Sequence, residues 1–187
     1  MRKTLIVMVK EPRPGRVKTR LGAGIGMVAA AWWYRHQVSR LLRELADPRW
    51  RVILAVSPDR DGVVSRVWPA HLARLPQGAG NLGARMTRAL RAGGAGPVCL
   101  IGSDIPGIRK GHIAEAFAAL GAADAVFGPS EDGGFWLVGL KNRLPAGLFD
   151  GARWSTEHAL ADSKASLSGL CITDVATLRD VDTVDDL

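Results

Sequence analysis

Four segments of this 187-residue chain concentrate the side chains that do chemistry. The first is KEPRPGRVKTRL, Lys10 to Leu21, where Lys10, Arg13, Arg16, Lys18 and Arg20 project from a stretch that Pro12, Pro14 and Gly15 hold to extended and turn geometry. Arginine forks bind phosphate oxygens bidentately and lysine acts as a point charge, so five cations in one constrained loop suit a di- or triphosphate. A solvated basic loop is the plainer alternative. The second segment, GSDIPG, sets Asp104 directly after an apolar run. There its carboxylate can meet a hard cation such as Mg²⁺, which favours one or two protein carboxylates with water and substrate phosphates. Capping of the following turn competes as an explanation. The third, GPSEDGGFWLVGL, places Glu131 and Asp132 before Gly133 and Gly134, where backbone can approach a ligand closely. Adjacent residues on an extended chain point to opposite faces, so at most one of these carboxylates serves a given reacting centre as acid or base. A hairpin turn explains the same DGG. The fourth, RDVDTVDDL, offers Asp180 and Asp182 on one face if extended, whereas Asp185 and Asp186 fit a helix start capped by Thr183.

The elements around these segments predict where they meet. Short apolar, β-branched runs at Thr4–Val9, Val52–Val56, Pro97–Ile101, Ala125–Phe127, Phe135–Leu140 and Leu170–Thr173 read as strands. Helical spacing predicts a long helix over Gly26–Ala46, with a stripe of Val28, Trp32, Val38, Leu41, Leu42 and Leu45. Further helices are expected after Asp59, over Leu82–Arg91 and Gly111–Leu120, and from a Ser155 or Thr156 cap to Leu167 with Glu157 in the first turn. Strands alternating with helices predict a three-layer α/β/α fold whose sheet is mainly parallel. In such sheets ligands collect beyond the carboxyl ends of the strands, which points to the loops after Val9, Val56, Ile101, Phe127 and Leu140. Without a repeat or linker, the chain reads as one domain spanning residues 1–187.

The formal charge of +7 is unevenly placed. Residues 1–20 carry seven basic side chains against Glu11 alone, while the last fourteen residues carry five Asp and one Arg. A basic excess suggests anionic partners. With the cations in one loop rather than along a stripe, and no nucleic-acid motif, nucleic acid is not the expected partner. The two cysteines, Cys99 and Cys171, lie in apolar runs and read as buried reduced thiols. The opening MRKTLIVMVK is interrupted by Lys10 after too short an apolar run for a signal peptide, and no stretch approaches the roughly 20 apolar residues of a membrane span. The expectation is a cytoplasmic protein with no membrane partner. A Walker A loop, a GxSxG elbow and a zinc-spaced Cys/His cluster are absent, and GAGIG at Gly22–Gly26 is an incomplete dinucleotide fingerprint.

Taken together, VKEPRPGRVKTRL, QGAGNLGARM, LIGSDIPGI, GPSEDGGFWLVGL, the Trp154–Thr156 WST and RDVDTVDDL resemble, in order and over nearly the whole chain, the bacterial GT-A-type glycosyltransferase-like family DUF2064. That group is similar in turn to the nucleotidyltransferases that make nucleotide sugars. The resemblance implies a nucleotide-diphospho-sugar transferase fold, with Lys10, Lys18 and Arg20 facing phosphates and Arg13, Gly15, Asn81 and Ser103 completing the nucleotide side. It implies Asp104 and Asp182 as the carboxylates of a Mg²⁺ or Mn²⁺ site. It assigns Glu131, Asp132, Gly133 and Gly134, with Trp154, Ser155 and Thr156, to the substrate side, where Asp132 or Glu131 acts on an acceptor hydroxyl.

The chain departs from the family at Asn81 and Ala84, where relatives carry acidic residues. The expected activity is metal-dependent glycosyl transfer from a nucleotide sugar to a small acceptor, with Lys18 counted among the catalytic groups. Nucleotidyl transfer from an NTP, releasing pyrophosphate, is the first alternative. A non-catalytic nucleotide-binding protein is the second, suggested by the two departures. An oligomer is compatible with the six tryptophans.

Overall fold

The structure is a computed structural model and describes residues 2–142 and 144–179. Its elements run β1 (Lys3–Lys10), α1 (Thr19–Ile25), α2 (Met27–Glu44), β2 (Trp50–Ser57), α3 (Asp59–Val64), β3 (Ala73–Pro76), α4 (Leu82–Ala92), β4 (Val98–Ile101), α5 (Lys110–Ala119), β5 (Ala125–Pro129), β6 (Phe135–Leu140), α6 (Ala159–Ala165) and β7 (Ile172–Asp174). The seven strands form one sheet in the order β3-β2-β1-β4-β6-β5-β7. All neighbouring pairs are parallel except β4–β6 and β6–β5. The reversal follows from chain length: the few residues from Ser130 to Gly134 can close a hairpin but cannot cross over to a parallel neighbour. The α/β fold with a mixed, mainly parallel sheet is therefore the one expected.

Strand β1 lies inside the sheet between β2 and β4, and Leu5, Ile6 and Val7 are all fully buried, as a strand covered on both faces requires. Alternation divides its side chains. Leu5, Val7 and Val9 join α2 and α5 on one face, and Ile6 joins Met86, Ala89 and Leu90 of α4 on the other. Two apolar layers thus clamp the sheet. The chain leaves β1 for β2 on one side and later returns to β4 on the other, so the carboxyl ends of β1 and β4 flank a topological switch point.

Several expectations are corrected. The long helix expected over Gly26–Ala46 is present as α2, and Gly26, with φ +91°, separates it from an additional short helix, α1, that takes in the end of the expected basic loop and most of the GAGIG run. The buried stripe of α2 is Ala30, Ala31, Tyr34, Val38, Leu41 and Leu42, so Val28 and Trp32 of the expected stripe face solvent. The alanines Ala30 and Ala31 are buried, and the large apolar residues Met27, Val28 and Trp32 near the start of the helix are turned outward. Ala73–Pro76 adds strand β3 at one edge of the sheet, and the last strand starts later than expected, at Ile172. Cys171 is exposed, because it precedes the short edge strand β7; Cys99 in β4 is buried, and burial pushes its thiol far up. Helix α6 begins at Ala159, with neither Ser155 nor Thr156 at its N-cap and Glu157 ahead of its first turn. Thr156 instead closes the preceding turn, its hydroxyl donating to the Arg153 carbonyl and accepting from the His158 N–H. The segment Asp180–Asp186, including Thr183 and the expected metal ligand Asp182, lies outside the described residues. No described helix is long and apolar enough to cross a membrane.

Candidate functional site

A cleft of about 740 Å³ opens at the switch point, a volume in the range of small-molecule and cofactor sites. It is lined by Lys10 at the end of β1, by Lys18 and Arg20 at the start of α1, and by Ser103 and Asp104 after β4. Asp132 and Gly134 of the β5–β6 turn and the run Trp154 to Glu157 complete it. Ten of the expected site residues therefore share one space although they come from four separate segments: Lys10, Lys18, Arg20, Ser103, Asp104, Asp132, Gly134, Trp154, Ser155 and Thr156.

The basic end is built with some strain. Lys18 adopts φ 45° and ψ 49°, a left-handed conformation that costs an ordinary residue free energy and persists where the surroundings impose it. The turn brings its ammonium to 3.2 Å from the Asp104 carboxylate, with the Lys18 side chain 5% exposed and that of Asp104 56% exposed. Tyr34, the chain's one tyrosine, fastens this end from below. Its hydroxyl accepts the Lys10 N–H at 3.0 Å and shares a 2.8 Å hydrogen bond with Ser103, tying the end of β1 to the loop after β4. Burial first, and the Asp104 charge second, push the Tyr34 phenol far up, so it stays protonated and acts as a fixed bridge.

The other end has an apolar floor and acidic walls. Trp154 packs edge-on to Phe135 and Phe149, and its indole lies over Gly83 of α4, where a side chain would meet the ring at 2.8 Å. Arg153 anchors the run from the outside, donating from its backbone and through its fork to Asp162 of α6. Those bonds hold the Asp162 carboxyl low, at about 2. Because that value lies below the ordinary carboxylate range, the tie is present above about pH 4 and is lost only as pH falls through about 2. Ser155 is, like Lys18, a non-glycine residue at positive φ, so two of the three such described residues line the cleft.

Five expected residues stand outside the lining. Arg13 pairs with Asp61 of α3 at 3.0 Å, Gly15 makes a turn at φ +71° with nothing nearby, and Glu131 is solvent-exposed. Gly133 supports the cleft from behind, its carbonyl accepting from Leu160 N–H at 3.0 Å. Asn81 caps α4, its side-chain oxygen accepting the Ala84 N–H at 2.9 Å. This clarifies both departures from the family. An acid at position 81 would make the same cap, and a glutamate at 84, three residues into the helix, would complete a reciprocal capping box. Both departures thus fall on helix-start chemistry. Ala84→Glu is expected to raise stability by about 0.5 kcal/mol, roughly 1–2 °C in a circular-dichroism melt.

Sequence reasoning missed Glu157, Tyr34 and Gln77. Gln77 is 4% exposed and donates from its amide nitrogen to the Val9 and Ala55 carbonyls, at 3.2 and 2.9 Å, while lining the cleft. With both amide protons committed, its oxygen is the end left to accept from a ligand. Its position was legible as the residue following β3, had that strand been placed.

The geometry and the sheet order together define a nucleotide-diphospho-sugar transferase fold. The chain belongs to the bacterial family described as an uncharacterized protein conserved in bacteria (DUF2064), whose model matches residues 41–156. All of it superposes on 85% of a Desulfovibrio desulfuricans protein provisionally described as a nucleotide-diphospho-sugar transferase, with 31% identity and a TM-score of 0.86. It shares its fold, at 9% identity and a TM-score of 0.65 over 99% of this chain and 92% of the other, with 4-diphosphocytidyl-2C-methyl-D-erythritol synthase from Anaerococcus prevotii. The Rv0371c protein of Mycobacterium tuberculosis, solved in complex with manganese, is similar at 16% identity and a TM-score of 0.59 over 100% of this chain and 96% of that one. No curated protein sequence matches.

Proposed function

We propose that the protein is a metal-assisted transferase acting on a nucleotide-activated donor, and that it transfers a glycosyl group to a hydroxyl acceptor. The observation that carries this reading is the convergence of Lys10, Lys18 and Arg20 with Asp104 in one cleft at the switch point. Three cations beside one carboxylate match a diphosphate that brings its own divalent ion. Among the described residues no group of three or more His, Cys, Asp or Glu could hold an ion alone. One accessible aspartate fits an ion whose remaining ligands are phosphate oxygens and water. Asp182 is the second carboxylate in this proposal, and the manganese complex of the Rv0371c protein supports the choice of ion. A bound Mg²⁺ or Mn²⁺ would neutralise charge that accumulates on the leaving diphosphate.

The chain's own residues do the rest. Lys18, held by its turn, and Lys10 and Arg20 stabilise the same developing charge through preset contacts. Asp132 takes the proton of the acceptor hydroxyl as that oxygen bonds to the anomeric carbon. The bond from that carbon to the diphosphate oxygen breaks, and its electron pair leaves with the nucleoside diphosphate. Glu131, exposed beyond the lining, is left out of this role. Gln77 offers its oxygen to a donor group on the base. A thermal-shift panel of NTPs, nucleoside diphosphates and nucleotide sugars, with and without Mg²⁺ or Mn²⁺, tests the assignment. Nucleotide sugars and diphosphates should stabilise the protein in a metal-dependent way, and Asp104→Ala should abolish the metal dependence. Stabilisation by NTPs in preference to their sugars would favour nucleotidyl transfer instead, and an unchanged Asp104→Ala profile would remove the metal site.

A further inference from the structure

The cleft is electrically lopsided, and the asymmetry bears on the second substrate. Its three lining cations all come from residues 10–20, on the β1 side. Beyond β4, the wall made by the β5–β6 turn and the Trp154 run presents Asp132 and Glu157 beside hydroxyls and an indole, with no Lys or Arg among the described lining residues. Cations that lie near this half in the chain are engaged elsewhere. Arg153 forks onto Asp162, Arg85 donates to the Gly80 carbonyl at 3.0 Å, and Arg88 donates to the carbonyls of Gln77 and Ala79. None of the three lines the cleft. His158, 3.7 Å from the Glu157 carboxylate, stands outside it too.

A phosphate or carboxylate brought beside Asp132 and Glu157 would meet like charge, with no Lys or Arg among the described residues lining this half to compensate it. Hydroxyl groups would find acceptors on both acids, while the apolar face of a ring would lie on Trp154 and Phe135. We infer, building on the nucleotide reading above, that the second substrate is an uncharged hydroxyl compound with an apolar face, of the glycoside or ring-polyol type, and not a phosphorylated one. The same asymmetry disfavours nucleotidyl transfer to a sugar phosphate, which needs a second anion site in this half.

Calorimetric titrations of the full chain with Mn²⁺ test this, using phenyl β-glucoside and glucose 1-phosphate as probes. Each is titrated alone and with saturating UDP or GDP, whichever the panel above selects. Phenyl β-glucoside should bind the nucleotide-loaded protein as well as the free one. Glucose 1-phosphate should compete with nucleotide for the basic end and lose at least about tenfold in affinity when nucleotide is present. Trp154→Ala should weaken the glucoside by about tenfold or more. Since that variant also disturbs the packing with Phe135 and Phe149, Asp132→Lys is the second probe and should admit glucose 1-phosphate beside the nucleotide. Glucose 1-phosphate joining bound nucleotide in the unaltered protein, or the glucoside failing to bind the loaded protein, overturns the inference while leaving the nucleotide site intact. If no nucleotide binds, the proposed function falls and this inference falls with it.

Discussion

Gly133→Ala should unfold about 6–12 °C below the parent protein, a loss of roughly 3 kcal/mol read in a thermal melt. Gly133 has φ +83°, and a Cβ there would lie 2.2 Å from the Glu157 carbonyl oxygen and 2.6 Å from its Cα. The obstacle is backbone, so no rotamer change relieves it. The left-handed conformation adds about 1 kcal/mol for a residue with a side chain. Gly15→Ala separates the two costs, because Gly15 also has positive φ, +71°, but nothing within 4 Å of its would-be Cβ. That control should lose only about 1 kcal/mol. If both variants melt alike, the close approach of the two loops carries no weight. The consequence extends to the site. Leu160 N–H donates to the Gly133 carbonyl at 3.0 Å, so this contact keeps Asp132 and the Trp154 run on the same side of the cleft.

The parts of this architecture that showed in the sequence are those whose cause is local. Thr4–Val9 and Val52–Val56 are apolar and rich in β-branched residues, and Phe135–Leu140 is apolar, because both faces of each strand are buried, and that composition is visible without partners. The loops after Val9, Ile101 and Phe127 could be nominated as parts of the site before any contact was known, since those strands run the same way and end at one edge. The loop expected after Leu140 lies at the opposite edge because β6 is antiparallel, and the loop after Val56 does not line the cleft. What stayed hidden depends on tertiary placement. Tyr34 looks like one more apolar residue on a helix, and nothing nearby says that its hydroxyl reaches Ser103, 69 positions away. Trp32 outranks Ala30 and Ala31 in hydrophobicity, yet the alanines are buried and Trp32 is exposed. Glu157 looked like a first-turn helix acid, but the helix starts two residues later and frees it to line the cleft. Asn81 shows the reverse case. As a motif position it suggested altered chemistry, and its geometry is that of a helix cap.

Lys18→Met is expected to weaken nucleoside diphosphate binding by about 10- to 100-fold, since a charge-assisted hydrogen bond contributes about 1.5–3 kcal/mol. Methionine keeps much of the length and apolar stem, so the change reports the ammonium itself. Folding stability should barely move. The partner carboxylate of Asp104 is 56% exposed and regains water when the ammonium is removed. Binding loss with an unchanged melting temperature is the signature of a group placed for a ligand. A lowered melting temperature with unchanged binding would mean that the pair exists to hold the loop after β4 in place. Lys18→Arg sharpens the distinction. Only 5% of the Lys18 side chain is exposed, and a guanidinium presents a wider planar fork where a point charge fits. Charge alone would rescue binding in that variant. If position matters as the strained turn suggests, Lys18→Arg should recover only part of it, because φ 45° and ψ 49° fix where the side chain starts and the Asp104 carboxylate 3.2 Å away marks where a cation must end. Loss of the ammonium also leaves Asp104 without the positive charge beside it. The affinity deficit should therefore widen when Mn²⁺ is omitted and narrow when it is saturating, tying the lysine and the ion to the same diphosphate.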